Sequence, residues 1–395
     1  MAKLTDETRA KLRRRSRLVN LGRDAEFSQG FVNVPPFRGS TVLYPDVATL
    51  KSRAQRFTYG TRGTPTTEAL SSAWSNLTGA AGTVLLPSGL AAIVVALMTA
   101  LSAGDHMLMT DSVYSPARAF ANKTLRRMGI ETTYYDPTIG AGIAALMRPN
   151  TGVVFTESPG SETLEVQDIP AIAEAAHGQG ACVIMDNTWA TPLFFSPHAH
   201  GADMAVEAGT KYLSGHADLL LGLVSANATW FERLHNCVHL MAIPAGPEDV
   251  FLALRGLRSM ELRLREAERQ GLALAQWLSD RPEVLRVIHP PLPDHPGHAL
   301  WKRDYSGSSG LFSIVLKPAS EAAVAAFLDG LELFGLGYSW GGYESLAIPV
   351  DCTATRTATR FAPGGPMVRF NVGLEDIEDL KEDLDRGFVR LRATA

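Results

Sequence analysis

The chain has 395 residues, of which 46% are hydrophobic and 20% charged, and its formal net charge is −4. That balance suits a folded chain with one large domain and a smaller one, and excludes the strongly basic surface of a nucleic-acid binder. Three cysteines, far apart in sequence, exclude a disulfide framework and point to a reducing, cytoplasmic setting.

The opening "MAKLTDETRAKLRRR" lacks the apolar stretch of a secretory leader. The basic run "KLRRRSR" at 11–17 reads as a solvated helix face. Up to about Tyr59 the text mixes Pro, Gly and Asn with Phe31, Val32, Phe37, Val42, Leu43 and Tyr44. That is too apolar for simple disorder, so this stretch is expected to be an arm packing on a neighbouring subunit. From Pro65 the pattern alternates. "TTEALSSAWSNLTGA" sets Leu70, Trp74 and Leu77 at helical spacing, and "GTVLLPSG" is a short strand that stops at Pro87. "LAAIVVALMTAL" at 90–101 is apolar all round, so it reads as a buried helix too short to span a bilayer. "DHMLMTD", "IETTYYD", "GVVFTES", "ACVIMDN" and "ADMAVEA" are further short strands. Helical "IPAIAEAAHGQG" lies between the third and fourth of these and is closed by Gly178 and Gly180. Such alternation predicts an α/β fold with a mainly parallel sheet and helices on both faces.

From about Glu248 the text turns to long amphipathic helices, then a loop "EVLRVIHPPLPDHPGH". "GLFSIVLK" (strand), "SEAAVAAFLDGL" (helix), "MVRFNVGL" (strand) and "IEDLKEDLDRGFVRL" (helix) follow, a smaller α+β domain. The expected division is an arm at 1–60, a large domain at 61–250 and a C-terminal domain at 251–395.

Lys211 stands in small, apolar surroundings in "DMAVEAGTKYLSGHADLLLG". It is either a strand-end lysine with its head in water or a lysine whose pKa is lowered by burial for use as a nucleophile or base. Ligands of parallel α/β sheets bind beyond the carboxyl ends of the strands. Ser88 and Gly89 start a helix there, which suits a phosphate. Tyr114, Asp186 and the pair Thr210 and Lys211 stand at other strand ends. A lysine, a carboxylate, an aromatic and an anion site together match what pyridoxal 5′-phosphate needs. His198, His200, His216 and Asp218 fit no common zinc spacing and read as loop residues, so no metal is expected. Cys182 reads as inert core.

The stretch "VIMDNTWATPLFFSPHAHGADMAVEAGTKYLSGHAD" resembles the active-site region of the Cys/Met-metabolism family of pyridoxal-phosphate enzymes. "FVNVPPFRGSTVLYP", "YGTRGTPTTEAL", "LLPSGLAA", "DSVYSPAR", "ESPGSETLEVQDI", "RGLRSMELRLREA" and "VRFNVGLEDIEDL" resemble its other motifs in order. "GYSWGGYESLAIP" is similar to the cystathionine β-lyase branch. The resemblance implies the fold-type I PLP-dependent transferase-like architecture with a seven-stranded sheet. It implies that Lys211 holds the cofactor as a Schiff base and shuttles the Cα proton, that Tyr114 stacks on the ring and assists, and that Asp186 pairs with the ring nitrogen. Ser88, Gly89, Leu90 and Thr210 would hold the phosphate, with Tyr59 and Arg62 reaching it from the adjacent subunit of a homo-oligomer, a tetramer built as a dimer of active dimers. Arg369 would bind the substrate α-carboxylate with Ser339 and Asn187, beside Trp340. Two departures stand out. Arg62 lies one position later than the family's usual arginine, and Ala208 replaces a common serine, leaving Thr210 as the only hydroxyl there. The implied reaction is cleavage of L-cystathionine to homocysteine, pyruvate and ammonia, a step of transsulfuration and methionine biosynthesis. Alternatives are γ-elimination or γ-replacement, cleavage of other cysteine S-conjugates, or a fold retained without catalysis.

Overall fold

The structure, a computed structural model, describes residues 5, 7–8 and 11–394. Its larger sheet has seven strands: β1 Gly82–Leu86, β2 His106–Thr110, β3 Glu131–Tyr135, β4 Thr151–Glu157, β5 Cys182–Asp186, β6 Met204–Ala208 and β7 Gly222–Ala226. They lie in the order β1-β7-β6-β5-β4-β2-β3. Strands β3, β2, β4, β5 and β6 run parallel, while β7 is antiparallel to both β1 and β6. All six strands expected from "GTVLLPSG" onward form, and Pro87, which has no amide hydrogen to donate, lies just beyond the end of β1. The central strands are buried along nearly their whole length, which explains their continuous apolar runs. One core lies between this sheet and the apolar helix Gly89–Ala100, where Ile93, Val95, Ala96 and Leu97 meet Val84, Met107, Ile184 and Val206. The opposite face joins a second core, which continues into the C-terminal sheet.

That second sheet is antiparallel: β8 Val284–Ile288, β9 Leu311–Leu316, β10 Leu346–Val350 and β11 Met367–Asn371, in the order β10-β11-β9-β8. Two of its strands lie in stretches not read as strands from the sequence. "EVLRVIHP" contains β8 rather than a pure loop. In β10 Pro349 disguises the pattern, yet it is tolerated because β10 is an edge strand.

The basic run at the start is also only partly as expected. Helix Arg14–Asn20 forms, but Arg14 donates to the Leu193 carbonyl at 2.6 Å and Arg17 to Asn76 Oδ1 at 2.8 Å. Arg258 in turn donates to the Leu18 and Leu21 carbonyls, both at 2.7 Å. The helix is therefore riveted to the body on one side. Further along the arm Phe31, Val32 and Leu43 remain strongly exposed within the single chain. Among the described residues no helix is long and apolar enough to cross a membrane.

Candidate active site

Parallel register brings the carboxyl ends of β4, β5 and β6 side by side: Glu157 is opposite Asp186, and Asp186 is opposite Val206. Asp186 Oδ1 accepts from the Thr188 amide at 3.0 Å and the Thr188 hydroxyl at 2.6 Å. Thr188 Oγ1 also accepts from the Ala208 amide at 2.9 Å, which ties Asp186 to the turn leading into Lys211. Among the described residues no hydrogen bond reaches Asp186 Oδ2. Burial raises the pKa of both Asp186 and Glu157, and the charge of Asp186 raises that of Glu157 further. The Thr188 bonds and the nearby Lys211 oppose that rise at Asp186, as the Tyr114 and Ser161 amides do at Glu157.

Lys211 Nζ donates to Ser339 Oγ at 2.6 Å and lies 5.1 Å from the centre of the Trp340 ring. Burial, then the charge of Arg369, lowers its pKa to about 8, against the pull of Asp186. Lys211 is half-buried, and its hold on its proton is weakened relative to a lysine with its head in water. The loop that meets it is strained. Ser339 has φ 81°, in the left-handed region that side chains rarely adopt. A Cβ on Gly341 would lie 3.0 Å from the Tyr212 amide nitrogen and 3.2 Å from the Lys211 Cβ, so this glycine lets the loop press on the lysine. Arg369, on β11, is buried, and its Nη2 donates to the Ser339 carbonyl at 3.1 Å. Ser339 thus links the lysine of one sheet to the arginine of the other. Trp340 packs on Tyr212 with ring centres 5.6 Å apart.

Tyr114 stays 43% exposed, so its ring has a free face. Its amide donates to Glu157 Oε2 at 2.8 Å. Burial, then Asp186 and Glu157, raise its hydroxyl pKa, so it keeps its proton at neutral pH. Ser88 caps helix Gly89–Ala100, its hydroxyl accepting from the Ala91 amide at 3.2 Å. The Gly89 and Leu90 amides have no partner among the described residues. A Cβ on Gly89 would come within 2.8 Å of the Ala208 Cβ, and one on Gly222 within 2.1 Å of the Ser88 carbonyl oxygen. The helix start is pressed against the ends of β6 and β7, next to the turn that carries Lys211.

The structure therefore brings together Lys211, Asp186, Tyr114, Ser88, Gly89, Leu90, Ser339, Trp340 and Arg369. Four expected residues sit otherwise. Asn187 is 1% exposed and its Nδ2 donates to the Phe195 carbonyl at 3.3 Å, while its Oδ1 is buried with no hydrogen-bond partner among the described residues. The Thr210 hydroxyl donates to the Leu221 carbonyl at 3.3 Å and accepts from its amide at 3.1 Å, which fixes a turn. Tyr59 and Arg62 are exposed, and no interaction described for them within the chain reaches Lys211, Asp186 or Arg369. Arg62 instead lies near His235 and His239, whose protonation it disfavours. Glu157 was missed by sequence reading, although it ends the predicted strand "GVVFTES" as Asp186 ends "ACVIMDN". His198 Nδ1 donates to the Ala202 carbonyl while its Nε2 bonds the Ser225 hydroxyl, and His216 Nδ1 donates to the Ser214 carbonyl, as ordinary loop residues do. No group of three His, Cys, Asp or Glu side chains among the described residues converges to hold a metal. Cys182 is unpaired and buried, and burial raises its thiol pKa. A cavity of about 690 Å³, lined by Leu328, Pro349, Cys352, Phe361 and Met367 among others, lies in the C-terminal sheet region and includes none of these site residues.

The donor set suits pyridoxal 5′-phosphate. Asp186 offers an unoccupied carboxylate oxygen for a protonated ring nitrogen, Lys211 an amine for the aldehyde, and the helix start two free amides for the phosphate.

Comparison with known proteins agrees with this chemistry. A family model described as Cys/Met metabolism PLP-dependent enzyme matches residues 15–389. A cystathionine beta-lyase of Salmonella typhimurium is 42% identical over 387 residues, with 95% of this chain and 98% of that protein covered. The cystathionine beta-lyase of Escherichia coli is 41% identical over a match of the same extent. A crystal structure of cystathionine gamma synthase from Xanthomonas oryzae pv. oryzae, in complex with aminoacrylate and cysteine, superposes with a TM-score of 0.89 at 31% identity, covering 97% of this chain and 100% of that one. With the family model matched over nearly the whole length and the donor set in place, the chain belongs to the Cys/Met metabolism family of PLP-dependent enzymes.

Proposed function

We propose that this enzyme is a carbon–sulfur lyase that cleaves L-cystathionine by β-elimination to homocysteine, pyruvate and ammonia. The observation that carries the reading is Lys211, an amine with a lowered pKa held by Ser339 between Asp186 and Arg369. Bound pyridoxal phosphate supplies a sink for the electron pair left at Cα. Lys211 is the base that removes the Cα proton. Asp186, whose Oδ1 is held by Thr188, would use Oδ2 to keep the ring nitrogen protonated. Arg369 takes the α-carboxylate in a two-pronged grip, with the Ser339 carbonyl steadying its guanidinium. Trp340 forms the wall beside that carboxylate. Tyr114, protonated at neutral pH, would stack on the cofactor ring and could give its proton to the departing sulfur. The named relatives support the choice of thioether. The test is thiol release from L-cystathionine: it should require added cofactor in protein stripped of it, and no release with or without cofactor would refute the reading.

The same proposal includes a shared site. Tyr59 and Arg62 are exposed at the junction of the arm and the large domain, and the apolar arm residues Phe31 and Leu43 are uncovered in one chain. A homo-oligomer in which this region serves the neighbour's phosphate accounts for both. Mixing inactive Tyr59→Ala subunits with inactive Lys211→Ala subunits should restore part of the activity, because one site in each mixed dimer then has both residues intact. Verified mixed dimers without activity would mean that each site is built within one chain.

A further inference from the structure

Glu162 is used by none of the steps above. It lies in the loop after β4, with φ 65°, and its side chain is half-buried. The loop is fastened on two sides of the cleft. The Ser161 amide donates to the Ser112 carbonyl at 3.0 Å, two residues before Tyr114. Ser313 Oγ donates to the Glu162 carbonyl at 2.8 Å, and Ser313 is the register partner of Arg369 across β9 and β11. Glu162 is therefore fixed between the tyrosine and the arginine that would flank a bound substrate. Its carboxylate makes no hydrogen bond and no ion pair among the described residues. Nor do the neighbouring cations neutralise it directly. Arg356 pairs with Glu165 at 2.7 Å, and Arg369 donates to the Ser339 carbonyl. When a substrate α-carboxylate engages Arg369, that positive charge is taken up. Glu162 is then a partly desolvated carboxylate lacking a counter-charge, which is unfavourable unless the ligand brings a cation.

We propose that Glu162 is a specificity-determining residue that receives the ammonium group on the far arm of the thioether. It would thereby select substrates with a second amino-acid head group over plain S-alkyl cysteines. This rests on the lyase reading for the nature of the substrate. The direction of its own pKa agrees: burial raises it, while Arg369 and then Arg356 oppose the rise, as expected for a half-buried carboxylate among cations.

The test compares L-cystathionine with S-propyl-L-cysteine, which has a similar chain but no far head group. Dissociation constants would be measured by calorimetry on cofactor-loaded Lys211→Ala protein, with and without Glu162→Gln. The preference for L-cystathionine should fall about tenfold, the scale of one charge-assisted hydrogen bond. Glu162→Asp should keep part of it. Glu162→Asn, which suits a left-handed backbone, should reproduce the glutamine result and guards against a folding defect. An unchanged preference overturns the proposal, whether both ligands weaken together, as they would if Glu162 only steadied Arg369, or neither does. If the unmodified enzyme releases no thiol from either compound the lyase reading fails separately, and the binding ratio still decides for or against Glu162.

Discussion

Lys211→Ala is expected to lower turnover by more than about a thousandfold, because in the proposed reaction one side chain would serve as both cofactor anchor and base. Borohydride treatment of the unmodified enzyme should fix the cofactor to the peptide containing Lys211, and the variant should give no such adduct. Peptide mass analysis reads this directly, and cofactor fixed at another lysine would refute the assignment. The lowered pKa adds a kinetic signature. Only the neutral amine can attack an aldehyde. With a pKa of about 8 in place of 10.5, roughly one amine in ten is neutral at pH 7 rather than about one in three thousand. Capture of added cofactor by stripped enzyme should therefore quicken about tenfold per pH unit up to pH 8 and level off above it. A rate that keeps rising at that slope to pH 10 would mean that the amine is not perturbed. Ser339 belongs to the same device, because its hydroxyl accepts from Nζ and its backbone is held at a positive φ.

Arg369→Ala is expected to lower kcat/KM by about 30-fold or more, since removing one side of a buried, hydrogen-bonded charge pair costs roughly 2–5 kcal/mol. Arg369→Lys should rescue little, because a point charge cannot reproduce the planar fork. The arginine also donates to the Ser339 carbonyl at 3.1 Å, so its loss should relax the strained loop that meets Lys211. The Michaelis constant should rise in both variants, and cofactor affinity should change much less. A lysine variant with near-normal kcat/KM would show that Arg369 only supports the loop.

Much of this site is legible in the sequence for one physical reason. In a parallel sheet, strand ends are where polar groups can escape burial and converge. That rule finds Ser88, Asp186 and Lys211 from apolar runs that stop at polar residues. The same rule applied to "GVVFTES" would have found Glu157, whose carboxylate accepts from the Tyr114 amide. Asn187 shows where the rule ends. The residue following a strand end can turn to the opposite side, and here it donates to the Phe195 carbonyl in the core. Thr210 is similar: a hydroxyl in a turn satisfies the backbone of Leu221 before it is available to a ligand. Strand direction is not written in an apolar run, so β7 lying antiparallel between β1 and β6 could not be read. Strand β10 was hidden because a proline mid-strand argues against a central position and says nothing against an edge. The docking of the basic helix was also invisible, since Arg14 and Arg17 are bound by Leu193 and Asn76, partners distant in sequence.

The reaction type is tested most directly by measuring which keto acid forms from L-cystathionine. β-Elimination needs one proton removed, at Cα, and Lys211 is the amine set beside the cleft to remove it. γ-Elimination needs a second proton removed at Cβ, so the base must move and the substrate must be held differently, whereas on the proposed reading Trp340 and Arg369 would fix the carboxylate end in one pose. Quantifying the products by chromatography should give pyruvate and homocysteine in equal amounts, with little 2-oxobutanoate or cysteine. Mainly 2-oxobutanoate and cysteine would contradict the β-lyase assignment.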